Sequence, residues 1–367
     1  MIRALVSRSH TSSIAVPIGA VVLALLSTFF LLLAAGADPF GALSNMWDAS
    51  FGSSYAIGST IVKTLPRVFT GLAVAMALRA GLWNIGAEGQ LYLGAVAATG
   101  FALYVTDLPE PIAPVIVLLV AALAGAAWAW LPGVLRAYRG ISEVITTLMM
   151  VYIGIQIASY FATGPWSTPG ANFPATVPVP ASTRLPLLGE GTVMHAGLIV
   201  AVVVALAAWF VMDRSTLGIR LRAVGGNFTA ASTMGVNSRR IIVVALCLSG
   251  ALAGLAGGVE VLGSRGRLIE GFSPGFGFEG IAIALLGRVR VGGIVAAAFL
   301  YGALDAGGAG LQASGAGLSA AIVQVTGALA VTYLLAALGL IELITRRAKA
   351  RAALVIAEPA KEQTWSP

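Results

Sequence analysis

The sequence predicts an all-α polytopic membrane protein, and three observations carry that prediction. Hydrophobic residues make up 58% of the chain and charged residues only 10%, against roughly 25% charged residues in soluble domains. Mean hydropathy is +0.92. Long apolar runs recur along the chain, and the arginines gather in the short stretches between them. The net charge of +7 could mark a nucleic-acid partner, but aromatic residues are not interleaved with the arginines. Membrane topology accounts for the basic clusters instead, and no nucleic-acid partner is expected. The single cysteine, Cys247, lies inside an apolar run, which excludes a disulfide framework within the chain and a cysteine-based metal cluster.

About ten membrane segments are expected, near 14–36, 61–80, 87–106, 112–135, 143–163, 193–212, 240–262, 276–288, 291–308 and 318–344. Half of them are too short or too rich in glycine for a plain span of about 20 residues. The first follows Arg3 and Arg8 and imitates a secretory signal, yet its apolar core exceeds the roughly 7–15 residues of such a signal, so it reads as an uncleaved anchor. Residues 1–13 are expected to be a cytoplasmic N-terminus, 14–344 the transmembrane domain and 345–367 a cytoplasmic tail. With the N-terminus inside, Arg79, Arg136, Arg139, Arg214, Arg220, Arg222, Arg239, Arg240, Arg288 and Arg290 fall on the cytoplasmic side. Lys63, Arg67, Arg184, Arg265 and Arg267 fall outside. A proline-rich outer loop follows the fifth segment, and an inner loop spans about 213–239.

The inner loop contains "GGNFTAASTMG". Asn227 suits an N-cap and Gly235 a left-handed terminator, so 228–234 should form about two turns of helix. So short a helix needs a protein surface to lie against. Ala230, Ala231 and Met234 are placed on one face, small enough for close approach by a partner.

The string "RAVGGNFTAASTMGV" resembles the cytoplasmic coupling loop of ATP-binding cassette (ABC) importer permeases of the sugar and nucleoside branch. "RAGLWNIGAEGQLYLGA" resembles a stretch typical of the nucleoside-type members, and "SEVITTLMMVYIG" and "SGALAGLAGGVEVLG…GFGFEGIAIALLGR" match further motifs in the same order. Trp83, Ser142 and Val151 stand where that pattern has Phe, Asn and Asn. The resemblance covers roughly residues 60–345. It implies a multi-pass permease of the bacterial cytoplasmic membrane, embedded in the lipid bilayer and moving nucleosides, with simple sugars as the alternative cargo. It also implies three partners: an ATP-binding subunit, a second permease forming a heterodimer, and an extracytoplasmic solute-binding protein. ATP would be used by the partner, since this chain has no phosphate-binding loop and needs no cofactor of its own. Gly225, Gly226, Asn227, Ala230, Ala231 and Gly235 match the coupling motif residue by residue. A secondary transporter would also be polytopic with broken helices, but it has no use for a coupling helix.

Asn84, Glu88 and Gln90 interrupt an apolar run and are not expected to face lipid. Two readings stay open: a polar lining of the translocation route, or a hydrogen-bonded knot between broken helices. Glu143, Thr146 and Thr147 share one helical face, and Glu279 opens a short segment in the same way as Glu143; these join the path candidates, with a structural role for the threonines as backbone acceptors' partners. The glycines of "GALAGLAGG" should permit tight helix packing.

Catalytic and metal chemistry find no support. "GFSPG" fits a nucleophile elbow, but Pro274 has no N–H for an oxyanion hole. "GFGFEG" fits a dinucleotide fingerprint with no strand before it. His10 and His195 lack the spacing of a zinc site. Few cations are expected at mid-depth, so a phosphorylated solute would be desolvated without compensation, and an uncharged polar solute is expected.

Overall fold

The computed structural model describes residues 15–313 and 325–340, apart from 35, 37, 106–108, 111, 171–172, 190 and 338. The N-terminal and C-terminal stretches expected at 1–13 and 345–367, and parts of the segment at 318–344, lie outside the described residues. Helices occupy the ten expected positions: α1 (Ala15–Ala34), α3 (Ser54–Arg79), α4 (Ala87–Tyr104), α5 (Ala113–Arg139), α6 (Glu143–Thr163), α7 (Gly197–Trp209), α10 (Ser238–Val259), α11 (Phe276–Leu286), α12 (Val291–Ala313) and α13 (Val325–Ala337). The remaining three are α2 (Pro39–Phe51), α8 (Thr216–Gly226) and α9 (Phe228–Thr233). Seven of the helices are long and apolar enough to cross a membrane, α7 and α10 being counted with the π-helical turns that continue them to Arg214 and Arg265.

Helix α2 is an addition to the expected set. Asp38 caps it by accepting from the amide of Phe40 at 3.0 Å, and Pro39 sits in its first turn, where its missing N–H is harmless. It lies along α12, with the Ser50 hydroxyl donating to the Ala303 carbonyl at 2.7 Å.

Helix α3 starts at Ser54, several residues before the expected boundary at 61, because Ser53 caps it by accepting from the amide of Ala56 at 3.1 Å. Lys63 and Arg67 lie within a helix of 26 residues, and Arg67 is close to its middle.

Helices α3 and α10 form the centre. The first packs against α10, α11 and α12, and the second against α4 and α5. Gly250 and Gly254 of α10 lie against Gly125 and Ala121 of α5, where an added Cβ would collide with backbone. That is the tight packing the glycine run predicts. Helices α1, α6 and α7 stand on the periphery with large apolar side chains exposed, among them Phe30, Ile153 and Leu206. Apolar exposure of this kind suits lipid as the solvent.

The proline-rich loop after α6 is docked rather than free. Thr176 donates its amide to the Leu268 carbonyl at 2.9 Å, Val179 to Gly266 at 2.9 Å and Leu185 to Leu262 at 3.0 Å. It thereby lies against the C-terminal end of α10, with its π-helical turn, and the segment that leads into α11. Helix α11 has 11 residues, about 16 Å by helical rise, or half of a hydrocarbon core. The backbone between α10 and α11 is non-helical over residues 266–275.

Candidate functional site

At the end of the helix bundle where α3 terminates, α9 has six residues, and Asn227 caps it by accepting from the amides of Thr229 at 3.0 Å and Ala230 at 3.1 Å. Gly235 follows with φ +83°, the left-handed conformation that favours glycine. The Ser238 hydroxyl donates to the Phe228 carbonyl at 3.2 Å and fastens α9 to the start of α10. The orientation differs from the expected one in one respect. Ala231 is buried in the inner core, whereas Phe228, Ala230 and Met234 are exposed. A six-residue helix must be seated by its own chain before it can meet another, and Ala231 provides that seat. Gly225 lies against the backbone of Arg79 and Ala80, where an added Cβ would come within 2.5 Å of the Arg79 carbonyl oxygen. Gly226 is beside it at the end of α8.

The same end is tied together by Arg79. Its Nη2 contacts Asp213 at 2.9 Å and donates to the Val289 carbonyl at 3.1 Å, linking α3 to the end of α7 and to the turn between α11 and α12. In that turn Arg288 and Val289 adopt φ +53° and +56°, unusual for residues with side chains. The last turn of α3 thus touches both the segment leading into α9 and the base of α11.

Asn84, Glu88 and Gln90 are buried side by side. Helix α4 begins at Ala87, so the backbone breaks between Asn84 and Gln90 and brings their side chains together. Asn84 Nδ2 donates to Gln90 Oε1 at 2.8 Å, and Gln90 Nε2 donates to Asn84 Oδ1 at 3.1 Å. Asn84 Nδ2 also reaches Ser249 Oγ at 2.7 Å, which in turn donates to the Ala73 carbonyl at 2.6 Å. Three helical elements are joined by one amide pair. Glu88 lies in the first turn of α4 and accepts from the Gly277 amide, in the first turn of α11, at 2.5 Å. One carboxylate therefore faces two helix N-termini, both of which favour negative charge.

Glu143 forms an ion pair with Arg136, Nε lying 3.1 Å from Oε2, and accepts from the Trp83 amide at 3.4 Å. Thr147 donates to the Glu143 carbonyl at 2.7 Å and Thr146 to the Ser142 carbonyl at 3.1 Å, both within their own helix.

Glu279 belongs to a cluster whose other members the sequence reading placed elsewhere or passed over. Arg67 Nε donates to Glu279 Oε2 at 2.7 Å, and Nη2 lies 3.4 Å from Oε1. Nη1 lies 3.1 Å from Asp305 Oδ2 and donates to the Lys63 carbonyl at 2.7 Å. Lys63 Nζ lies 3.3 Å from Asp305 Oδ1. The Arg67 side chain is 3% exposed while those of Glu279 and Asp305 are 23% and 35% exposed, so the cation is innermost. Arg67, close to the middle of α3, is neutralised by two carboxylates. A polar cluster of this kind is tolerated in a membrane only because its members pair with one another.

Residues 56–341 match the family described as branched-chain amino acid transport system / permease component. The chain belongs to this family. It is 39% identical to the guanosine ABC transporter permease protein NupP of Bacillus subtilis over 302 residues, covering 81% of this chain and 86% of that protein. It is 32% identical to the nucleoside ABC transporter permease protein NupB of Lactococcus lactis over 351 residues, covering 93% and 96%. It is 36% identical to the glucose ABC transporter permease protein TsgB13 of Haloferax volcanii over 317 residues, covering 83% and 82%. No solved structure matches. The chain is accordingly a multi-pass permease of the cell membrane and not an enzyme.

Proposed function

We propose that this permease moves nucleosides inward as one of two pore-forming subunits of an ABC importer, powered by a partner ATPase and fed by an external solute-binding protein. The observation that carries the cargo is the likeness, over most of both chains, to permeases named for guanosine and for nucleosides. The capped helix α9 supports the coupling. Its exposed Phe228, Ala230 and Met234 offer a surface at the inner end, and the seat beneath it connects through Gly225 and Arg79 to α3 and α11. Closure of an ATPase dimer against α9 would shift those helices together, as packed interfaces move between discrete arrangements.

Glucose is the second reading, because TsgB13 is about as similar as the nucleoside relatives. Uptake of labelled adenosine, uridine, ribose, galactose and glucose by cells with and without the gene separates the two. Loss of nucleoside uptake alone is expected. Loss of glucose uptake with nucleoside uptake intact would overturn the nucleoside assignment and leave the permease role in place.

A further inference from the structure

A cavity of about 600 Å³ opens among the outer half of α3, the π-helical end of α10, the segment 269–276 and α12. Its size lies within the roughly 300–1,000 Å³ of small-molecule sites. Lys63, Asp305, Glu260, Arg265 and Glu270 line it, together with Phe272 and Phe276. The non-helical backbone between α10 and α11 runs over residues 266–275 and supplies most of the segment 269–276. At membrane depth such backbone is tolerated where it is buried or lines a water-filled cavity, and here it lines one.

The charged groups of the wall are held in place. Asp305 is fixed by Lys63 and Arg67, and Glu260 by Arg265 Nε at 3.0 Å and the Ser264 hydroxyl at 3.2 Å. Glu270 accepts from the Ser159 hydroxyl. Each carboxylate retains lone pairs beyond those its partners occupy. Three carboxylates and two cations face the space. A phosphorylated solute would have to compete with a carboxylate for each cation, in a wall with more negative than positive groups. An apolar solute would strip water from charges and return nothing. A neutral solute with several hydroxyls can donate to the carboxylates without disturbing the pairs.

We infer that this cavity is the solute-contacting surface that the chain contributes to the translocation path, and that it takes a neutral polyhydroxylated solute whose hydroxyls donate to Asp305 and Glu270. The choice of a nucleoside as that solute rests on the proposed function above; the placement of the cavity on the path does not.

The test uses the complete importer in proteoliposomes, with Cys247→Ser as the parent and Val62→Cys, at the cavity wall, added to it. A membrane-impermeant methanethiosulfonate reagent is applied from the outer side, and adenosine uptake is followed beside the mass shift of the chain. Labelling of Val62→Cys with loss of its uptake, in vesicles whose parent is unaffected, is expected. Complete labelling with unchanged uptake overturns the inference, and so does failure of the reagent to reach Val62→Cys. Glu270→Gln, which leaves the Arg67 cluster untouched, should raise KM for adenosine roughly tenfold, the worth of one hydrogen bond to a charged group. An unchanged KM removes Glu270 from the contact. If the parent carries glucose or ribose and no nucleoside, the nucleoside assignment fails, and the same block measured with that sugar still upholds the cavity.

Discussion

Arg67 Nε lies 2.7 Å from Glu279 Oε2, joining the middle of α3 to the first turn of α11. With Asp305 on the other side of the guanidinium, this contact makes Arg67 the common partner of three helices. Glu279→Ala leaves a buried cation with half its compensation. The protein in detergent should be destabilised by on the order of 3 kcal/mol, read as a lower melting midpoint. Arg67→Met combined with Glu279→Leu should recover most of that loss, because an apolar pair removes the uncompensated charge. A double variant no more stable than Glu279→Ala would show that the cluster does not act as a charge pair.

The Asn84–Gln90 amide pair makes the next prediction. Asn84→Ala leaves the Gln90 amide and the Ser249 hydroxyl short of a buried partner, each worth about 1–3 kcal/mol. Stability and uptake should therefore fall together, and Ser249→Ala should lose less than Asn84→Ala because the amide pair survives it. Uptake lost at full thermal stability would instead favour a path-lining role for Asn84.

Several features were legible from sequence because they are local. The cap at Asn227 and the left-handed Gly235 depend on residues a few positions away, and the close approach of Gly250 and Gly254 to α5 follows from their spacing. The cluster around Arg67 was not legible. Lys63 and Arg67 read as a span boundary because charges normally mark one, and the acids that neutralise them are more than two hundred positions along the chain. The Ser53 cap was the signal that would have placed the start of α3 correctly. The pairing of Asn84 with Gln90 follows no helical spacing, since the backbone breaks between them. Ala231 was assigned to the outer face because six residues carry too little periodicity to orient a helix. Asp38 and Pro39 announced α2, whose length and mixed composition hid it from a search for spans.

Coupling through α9 predicts a split between its two faces. Ala230→Arg and Met234→Asp change exposed side chains and should abolish uptake while leaving expression and melting midpoint unchanged. Ala231→Arg forces a charge into the buried seat and should lower the yield of folded protein. Gly235→Val places a branched side chain at φ +83° and should weaken the seat similarly. Normal uptake by Ala230→Arg and Met234→Asp at matched expression would remove α9 from the coupling route.

His195 sets a dependence on acidity at the outer loop. Its side chain is buried, Nδ1 accepts from the Gly197 amide at 3.2 Å, and burial lowers its pKa from 6.5 to about 4. Nε2, which carries the proton of the neutral ring, has no hydrogen-bond partner among the described residues. Above pH 6.5 the ring is neutral in folded and unfolded chains alike, so stability does not vary with pH through this group. Between pH 6.5 and about 4 the unfolded chain binds a proton that the folded chain refuses. Stability therefore falls as the pH falls, by up to about 3 kcal/mol across that window. Melting curves of the detergent-solubilised protein at pH 7.5, 5.5 and 4.5 should show this decline, and His195→Asn, which keeps an acceptor for the Gly197 amide but does not titrate, should flatten it. A variant that retains the full acid sensitivity of the parent would place the titrating group elsewhere.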